Sequence, residues 1–161
     1  MNIERDSEGG FIFSEVEEPL AAMFRAIPAA ADPELNKAAF DRLYPDPFAG
    51  KDTELSAEWA DYVQPELREG FENASTTVEM DLAPLDAGEE GWAIPRSHVD
   101  AWLNTLNQAR LALAARFEVG EADMNRAAPY PPESERNLAV SQIHVYGLLQ
   151  ECLLQSLEAG E

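Results

Sequence analysis

The chain has 161 residues, of which 45% are hydrophobic, and it has a formal net charge of -20 at pH 7. This length is typical of a single domain, and the hydrophobic fraction is high enough for a packed core. The acidity disfavours direct binding to nucleic-acid phosphates and to anionic membrane surfaces. We therefore predict one helical domain over residues 1–161, with no nucleic-acid and no membrane partner.

The negative charge is concentrated in the first part of the chain. Residues 1–90 contain 22 acidic and 6 basic side chains, a net charge of -16, whereas residues 91–161 have a net charge of -4. The plainer interpretation is a solvated face, and the other is a docking face for a basic partner. Cys152 is the only cysteine, and the sequence shows neither a signal-peptide core nor an apolar run long enough to span a bilayer. These features predict a cytoplasmic protein.

The N-terminal residues predict a β-hairpin over residues 1–14, with strands at 3–5 and 11–13 around a turn-rich connection. Ser14 is the expected N-cap of a first helix that ends at Pro28. A third short apolar segment, residues 92–94, has the same pattern of a glycine, a strand and a helix cap. We expect the three strands to meet in one small sheet.

Helical spacing predicts most of the remaining elements. Asp32 followed by Pro33 indicates a helix start, and Asp52 or Thr53 caps a helix that continues to about residue 82, with a kink or a new start at Pro65. A helix over 97–117 and a last helix over 136–157 flank a loop at 118–134, where Gly120 and the prolines at 129, 131 and 132 stop helical structure. The predicted fold is mainly α: an irregular bundle of about five helices with a small antiparallel sheet.

Arg110 is the most informative residue of the 97–117 helix. Trp102, Leu106 and Leu113 recur at the spacing of one apolar helix face, and Arg110 lies on that same face. A functional interpretation is an anion or substrate clamp in a pocket. The interpretation that we favour is a structural ion pair with Glu151 of the last helix, because burying either charge alone is costly. Gly147, in the middle of that helix, indicates a close helix–helix approach.

No motif of the sequence is sufficient for catalysis. His98 and His144 are the only histidines, and they lie on different predicted helices without the spacing of a ligand-dense motif such as HExxH. The chain contains no GxSxG elbow and no phosphate-binding glycine loop. We predict no metal and no cofactor, and we favour a protein that is not an enzyme while leaving that question open.

Two segments resemble a known family. The pattern W-L-x-x-L-N-x-x-R-L-A-L begins at Trp102 and includes Asn107 and Arg110, and a later L-Q-E includes Gln150 and Glu151. These segments, together with the N-terminal "FIFSEVEEPL", resemble domain-of-unknown-function family 2017, which is common in actinobacteria. The resemblance spans nearly the whole chain and gives no established activity. It implies a role near regulated proteolysis, because members are often encoded beside the adaptor of the Clp protease.

The leading functional hypothesis is a non-enzymatic protein-interaction or regulatory module whose protein partner is basic or Clp-related, and a homodimer stays open. The alternative is a small-molecule-binding protein or a hydrolytic enzyme with a polar pocket around Arg110. In either case the candidate binding residues are Asn107, Arg110, Gln150 and Glu151.

Overall fold

The structure, a computed structural model, describes residues 1–126 and 131–158, with side chains described up to residue 155 of the last helix. The strands are β1 Asn2–Arg5, β2 Phe11–Ser14 and β3 Trp92–Ile94. The α-helices are α1 Glu18–Arg25, α2 Ile27–Ala31, α3 Lys37–Leu43, α4 Thr53–Glu58, α5 Gln64–Asp86, α6 Val99–Arg116, α7 Glu121–Met124 and α8 Glu135–Glu158. The expected mainly α fold with a small antiparallel sheet is confirmed.

The three strands form one antiparallel sheet in the order β1-β2-β3, as expected. The hairpin turn is held by Asp6, whose carboxylate accepts hydrogen bonds from the backbone N–H groups of Glu8 and Gly10 at 2.8 and 2.7 Å. Strand β2 buries Phe11 and Phe13 and exposes Ile12, which is the alternation of a sheet with one covered face.

The first helices begin later than the sequence predicts. Ser14 ends β2, and the N-cap of α1 is Glu17, because Pro19 takes a position in the first helical turn, where its missing N–H costs nothing. The first helix also does not extend to Pro28 as expected: it ends at Arg25, and Pro28 lies in the first turn of the separate helix α2. Asp32 caps only a short 3-10 turn, and Asn36 caps α3.

Helices α4 and α5 are joined without a break by a π-helical turn, Trp59–Val63. The predicted cap at Asp52 is confirmed: its carboxylate accepts from the N–H groups of Glu54 and Leu55 at 3.0 and 3.1 Å. Pro65 lies in the first turn of α5, so the π turn accommodates the proline where the sequence predicts a kink or a new start.

Helix α6 is the central element of the bundle and packs against α2, α3, α5 and α8. It is therefore buried on more than one side, and its buried residues include the polar Thr105 and Gln108 beside Trp102 and Leu106. The main core joins α6 to the covered face of the sheet, where Phe13 and Trp92 stack at 4.2 Å between ring centroids. A second, smaller cluster of buried residues packs α3 against α6: Ala39, Leu43, Tyr44 and Ala112.

The segment predicted as a loop at 118–134 contains the one-turn helix α7. Gly120 is the N-cap of that helix rather than a stop for α6, and its N–H donates to the Asp123 carboxylate at 2.9 Å. Arg136, at the start of α8, donates to the same carboxylate at 2.8 and 2.9 Å, which connects the two helices. The predicted stop at residue 129 lies outside the described residues.

Candidate functional site

Arg110 of α6 contacts α8 through the side-chain amide of Gln150. Its Nη1 donates to the side-chain oxygen of Gln150 at 2.6 Å, and the Gln150 nitrogen donates to the backbone carbonyl of Leu103 at 3.1 Å. Gly147 makes room for this contact, since a Cβ at that position would lie 3.4 Å from the Arg110 guanidinium carbon. The close approach expected at this glycine is thus present, and the side chain that approaches is Arg110.

The expected ion pair between Arg110 and Glu151 is wrong. Within the described part of the chain the Arg110 guanidinium has Gln150 as its side-chain partner, whereas Glu151 is exposed and accepts a hydrogen bond from Gln155 at 3.1 Å. Successive helix residues point about 100° apart, so the residue after Gln150 turns away from α6. Arg110 is half-buried, which leaves its charge in partial contact with water.

The four residues predicted as a binding group are therefore only partly assembled. Arg110 and Gln150 are in contact, while Asn107 and Glu151 are exposed on the helix surfaces. The Arg110 Nε is buried and has no hydrogen-bond partner among the described residues. This arrangement fits a helix–helix connection better than a preformed pocket.

A second polar contact connects α5 to the start of α6. The Asp81 carboxylate, whose side chain is only 10% exposed, lies 3.0 Å from His98 Nδ1 and accepts a hydrogen bond from Trp102 Nε1 at 2.8 Å. A carboxylate that orients a histidine is one part of a catalytic triad. No hydroxyl or thiol of the described residues is hydrogen-bonded to His98, and His98 is half-buried rather than on the open surface.

The two histidines do not form a metal centre in the described residues. No group of three or more His, Cys, Asp or Glu side chains there could hold a metal ion, and His144 is half-buried on α8. Burial raises the pKa of Cys152, which keeps its thiol protonated and poorly nucleophilic near neutral pH. Burial also raises the pKa of Tyr146, whose hydroxyl donates to the backbone carbonyl of Met23 at 2.8 Å.

A cleft of about 390 Å³, here called the α2–α5 cleft, lies between residues 28–34 on one side and α5 on the other. Helix α5 contributes Phe71 and a polar stripe at positions i, i+3, i+4 and i+7, which share one helix face: Glu72, Ser75, Thr76 and Glu79. Two side chains from other elements, Tyr44 at the end of α3 and Gln108 of α6, also line the cleft.

Tyr44 and Gln108 bring buried, unpartnered polar atoms to this cleft. Each side chain belongs to a residue that is 3% exposed, and within the described chain neither the Tyr44 hydroxyl nor the Gln108 Nε2 has a hydrogen-bond partner. Burial raises the pKa of Tyr44, and the Arg68 guanidinium, which lies beside the hydroxyl, offsets this only in part, so the hydroxyl stays protonated and keeps its proton for a further acceptor. An unpartnered buried polar group costs about 1–3 kcal/mol, so the two atoms would gain from an added partner.

Sequence reasoning missed this cleft, although one part of it was visible. The polar stripe from Glu72 to Glu79 lies within a predicted helix at the spacing of one face. The other parts were not visible, because Gln108 lies on a helix that was interpreted as having a single apolar face, and because Tyr44 comes from a helix far away in the sequence.

Comparisons with known proteins identify the family. The family model described as Domain of unknown function (DUF2017) matches residues 13–157 of the chain. No curated protein and no solved structure matches the chain. No helix in the described residues is long and apolar enough to cross a membrane. The match covers most of the length, including both helices that hold Arg110 and Gln150, and the chain therefore belongs to the DUF2017 family.

Proposed function

We propose that the protein is a non-enzymatic, cytoplasmic interaction module that binds a basic protein segment. The observation that carries this proposal is an exposed helical segment, residues 53–69, here called the acidic arm. It comprises α4, the π turn and the first residues of α5, and no residue in it is buried. Trp59 packs against the small cluster of α3 and α6 and holds the arm to the body.

The acidic arm exposes apolar side chains that the core does not use. Tyr62 is 73% exposed, and Leu55, Val63 and Leu67 are also exposed. Single exposed apolar residues are common on protein surfaces, but several on one short helical segment are typical of a surface that binds another protein. A tyrosine adds a large contact area with few rotatable bonds, which is why tyrosines are enriched at binding interfaces.

The charge of the arm determines the kind of partner. Five carboxylates surround the apolar residues, and they are opposed by one cation: Glu54, Glu58, Asp61, Glu66, Glu69 and Arg68. Arg68 pairs with Glu34 of the 3-10 turn, which reduces its effect on the arm. A partner segment with lysine or arginine beside apolar side chains would complement this surface. The net charge of the whole molecule would speed its approach.

The link to Clp-dependent proteolysis and the binding site around Arg110, both predicted from the sequence, now differ in their support. The family resemblance implies proximity to Clp-dependent proteolysis, so the Clp adaptor is the first purified partner to titrate against the protein. The alternative, a small-molecule or hydrolytic site around Arg110, has less support, because one nitrogen of the guanidinium already donates to Gln150 and Asn107 is exposed on the surface of α6.

Site-specific crosslinking in cells that contain the native partners tests the acidic arm. A photo-reactive phenylalanine analogue replaces Tyr62, and in a control protein it replaces Met80, which is 70% exposed on the same continuous helix but outside the arm. We expect a discrete adduct from position 62 alone. The crosslinked peptide of the partner should contain lysine or arginine beside apolar residues.

Reversing the charge of selected carboxylates distinguishes binding at the acidic arm from attraction to the overall negative charge of the protein. The double variant Glu58→Lys with Asp61→Lys should lose the adduct, whereas Glu89→Lys with Glu90→Lys, an exposed acidic pair between α5 and β3, should keep it. Equal adducts from positions 62 and 80, or equal effects of the two double variants, would contradict the proposal. Binding to the purified Clp adaptor that is insensitive to both variants would place the contact elsewhere on the molecule.

A further inference from the structure

We propose that the α2–α5 cleft binds a small organic cation that also has an uncharged hydrogen-bond acceptor, such as an amino amide. The proposal does not depend on the acidic arm. It rests on two features of different kinds in one cavity: carboxylates on the α5 wall, and buried polar atoms without partners on the side chains contributed by α3 and α6.

The size of the cleft suits a small molecule. Its volume of about 390 Å³ lies within the usual range of ligand pockets, which is roughly 300–1,000 Å³. The opposite side contributes two prolines and two alanines beside two carboxylates, so part of it is apolar surface facing the polar stripe: Pro28, Ala29, Ala31, Pro33, Asp32 and Glu34. Sites with this combination fix a ligand by a few polar groups and bury the rest of it against apolar surface.

The unpartnered atoms specify one half of the ligand. The Gln108 Nε2 can only donate, so its missing partner must be an acceptor. The Tyr44 hydroxyl also has a proton that it could donate to the ligand. An amide carbonyl or a hydroxyl of the ligand would supply this acceptor, and the binding energy would include relief of a buried, unsatisfied group.

The carboxylates specify the other half. Glu72 and Glu79 are exposed along the wall, and within the described chain neither has an ion-pair partner. Asp32 and Glu34 lie on the opposite side, where Glu34 is paired with Arg68 and Asp32 caps the 3-10 turn. Four carboxylates against one guanidinium repel anions, so the acceptor must be uncharged and the ligand must have a cation.

A matched set of three probes tests both halves. Aminovaleramide has an ammonium group and an amide, pentylamine has the cation alone, and valeramide has the amide alone. In titrations followed by nuclear magnetic resonance, we expect aminovaleramide to bind with a dissociation constant of about 1 mM and to shift the side-chain amide signal of Gln108. Each single-function probe should bind at least about tenfold more weakly.

Variants assign the two functions to their residues. Gln108→Leu should weaken aminovaleramide about tenfold and leave pentylamine unchanged, since it removes the donor and keeps the volume. Glu72→Gln with Glu79→Gln should weaken both cationic probes. The control pair Glu66→Gln with Glu69→Gln removes the same charge from the same helix outside the cleft and should change little. Tyr44→Phe, which removes the other buried donor, replaces Gln108→Leu in these titrations if Gln108→Leu does not fold.

Three results would overturn the proposal. The first is no saturable shift of the Gln108 amide signal with aminovaleramide. The second is equal binding of aminovaleramide to the wild type and to Gln108→Leu, or to Tyr44→Phe where that variant takes its place. The third is an equal loss of affinity for the cationic probes in the cleft pair and in the control pair. That result would mean that the probes respond only to the overall negative charge of the protein.

Discussion

At Arg110 the contact between α6 and α8 uses an amide where a carboxylate was expected. Gln150 accepts from the guanidinium with its oxygen and donates to the carbonyl of Leu103 with its nitrogen. A glutamate could accept from Arg110 but could not donate to that carbonyl. The amide also avoids the cost of removing a carboxylate from water. One neutral side chain thereby satisfies two groups of the neighbouring helix.

This geometry predicts a sharp difference between two adjacent residues. Gln150→Ala should lower the free energy of unfolding by about 1–3 kcal/mol, because it removes a charge-assisted hydrogen bond and leaves the Leu103 carbonyl without its side-chain donor. Glu151→Ala should change it by less than about 0.5 kcal/mol, since that side chain is exposed. Urea denaturation of both variants measures the difference. A larger loss of unfolding free energy in Glu151→Ala than in Gln150→Ala would contradict this geometry and support an ion pair between Arg110 and Glu151.

The residue scale also shows where sequence reasoning succeeds. The apolar spacing correctly placed Arg110 on the side of α6 that meets another helix, and Gly147 correctly indicated a close approach. The partner was wrong by one residue. Helical spacing determines which residues of one helix share a face, but the relative rotation of two helices depends on how all their side chains pack.

At the scale of the elements, a close backbone approach brings the start of β3 against β2. Gly91 lies just before β3, and a Cβ at that position would be 2.2 Å from the backbone oxygen of Phe13. The neighbouring backbone N–H of Val16 donates to the carbonyl of Glu90 at 2.9 Å. Only a residue without a side chain allows the chain to enter β3 this close to β2.

Gly91→Ala should therefore lower the free energy of unfolding by about 2–3 kcal/mol, because the added methyl group meets backbone that cannot rotate away. The matched control is Gly70→Ala, in the interior of α5 with open space around its Cβ. That change should stabilise the protein by about 0.5–1 kcal/mol. Thermal or urea unfolding compares the two, and a neutral Gly91→Ala would show that the strand entry can shift.

Element types were more predictable than element boundaries. The three strands and the long helices follow from apolar spacing, whereas the N-caps of α1 and α3 are Glu17 and Asn36 rather than the expected Ser14 and Asp32. Several residues in each region can serve as caps, and the choice depends on where the preceding strand or turn ends. The role of α6 was underestimated, because a helix buried on several sides does not show one clean apolar face.

At the scale of the whole molecule, the net charge of -20 opposes the compact state through self-repulsion. The ion pairs of the described residues are few and mostly exposed, as at Lys37 and Asp41, and exposed pairs stabilise proteins little. Much of the repulsion arises in the N-terminal half, where the acidic arm and the carboxylates of α5 lie on one continuous helix.

Screening this repulsion should raise the melting temperature. Increasing the ionic strength from about 0.01 M to about 0.15 M shortens the Debye length from about 30 Å to about 8 Å. We expect an increase of a few degrees by differential scanning fluorimetry. The variant with Gln at positions 54, 58, 66 and 69 should be more stable at low salt and should gain less from added salt. An equal gain in both proteins would mean that the arm does not contribute.

The sequence by itself determined the fold class, the three-stranded sheet, the distribution of charge and the family, because these depend on local spacing, composition and short motifs. Only the tertiary structure decided that Arg110 meets Gln150, that Asp81 holds His98 and Trp102, and that Tyr44 and Gln108 line a cleft beside α5. Each of these contacts joins residues far apart in the chain. Their geometry depends on the rotation and offset of packed elements, and no local pattern specifies those quantities.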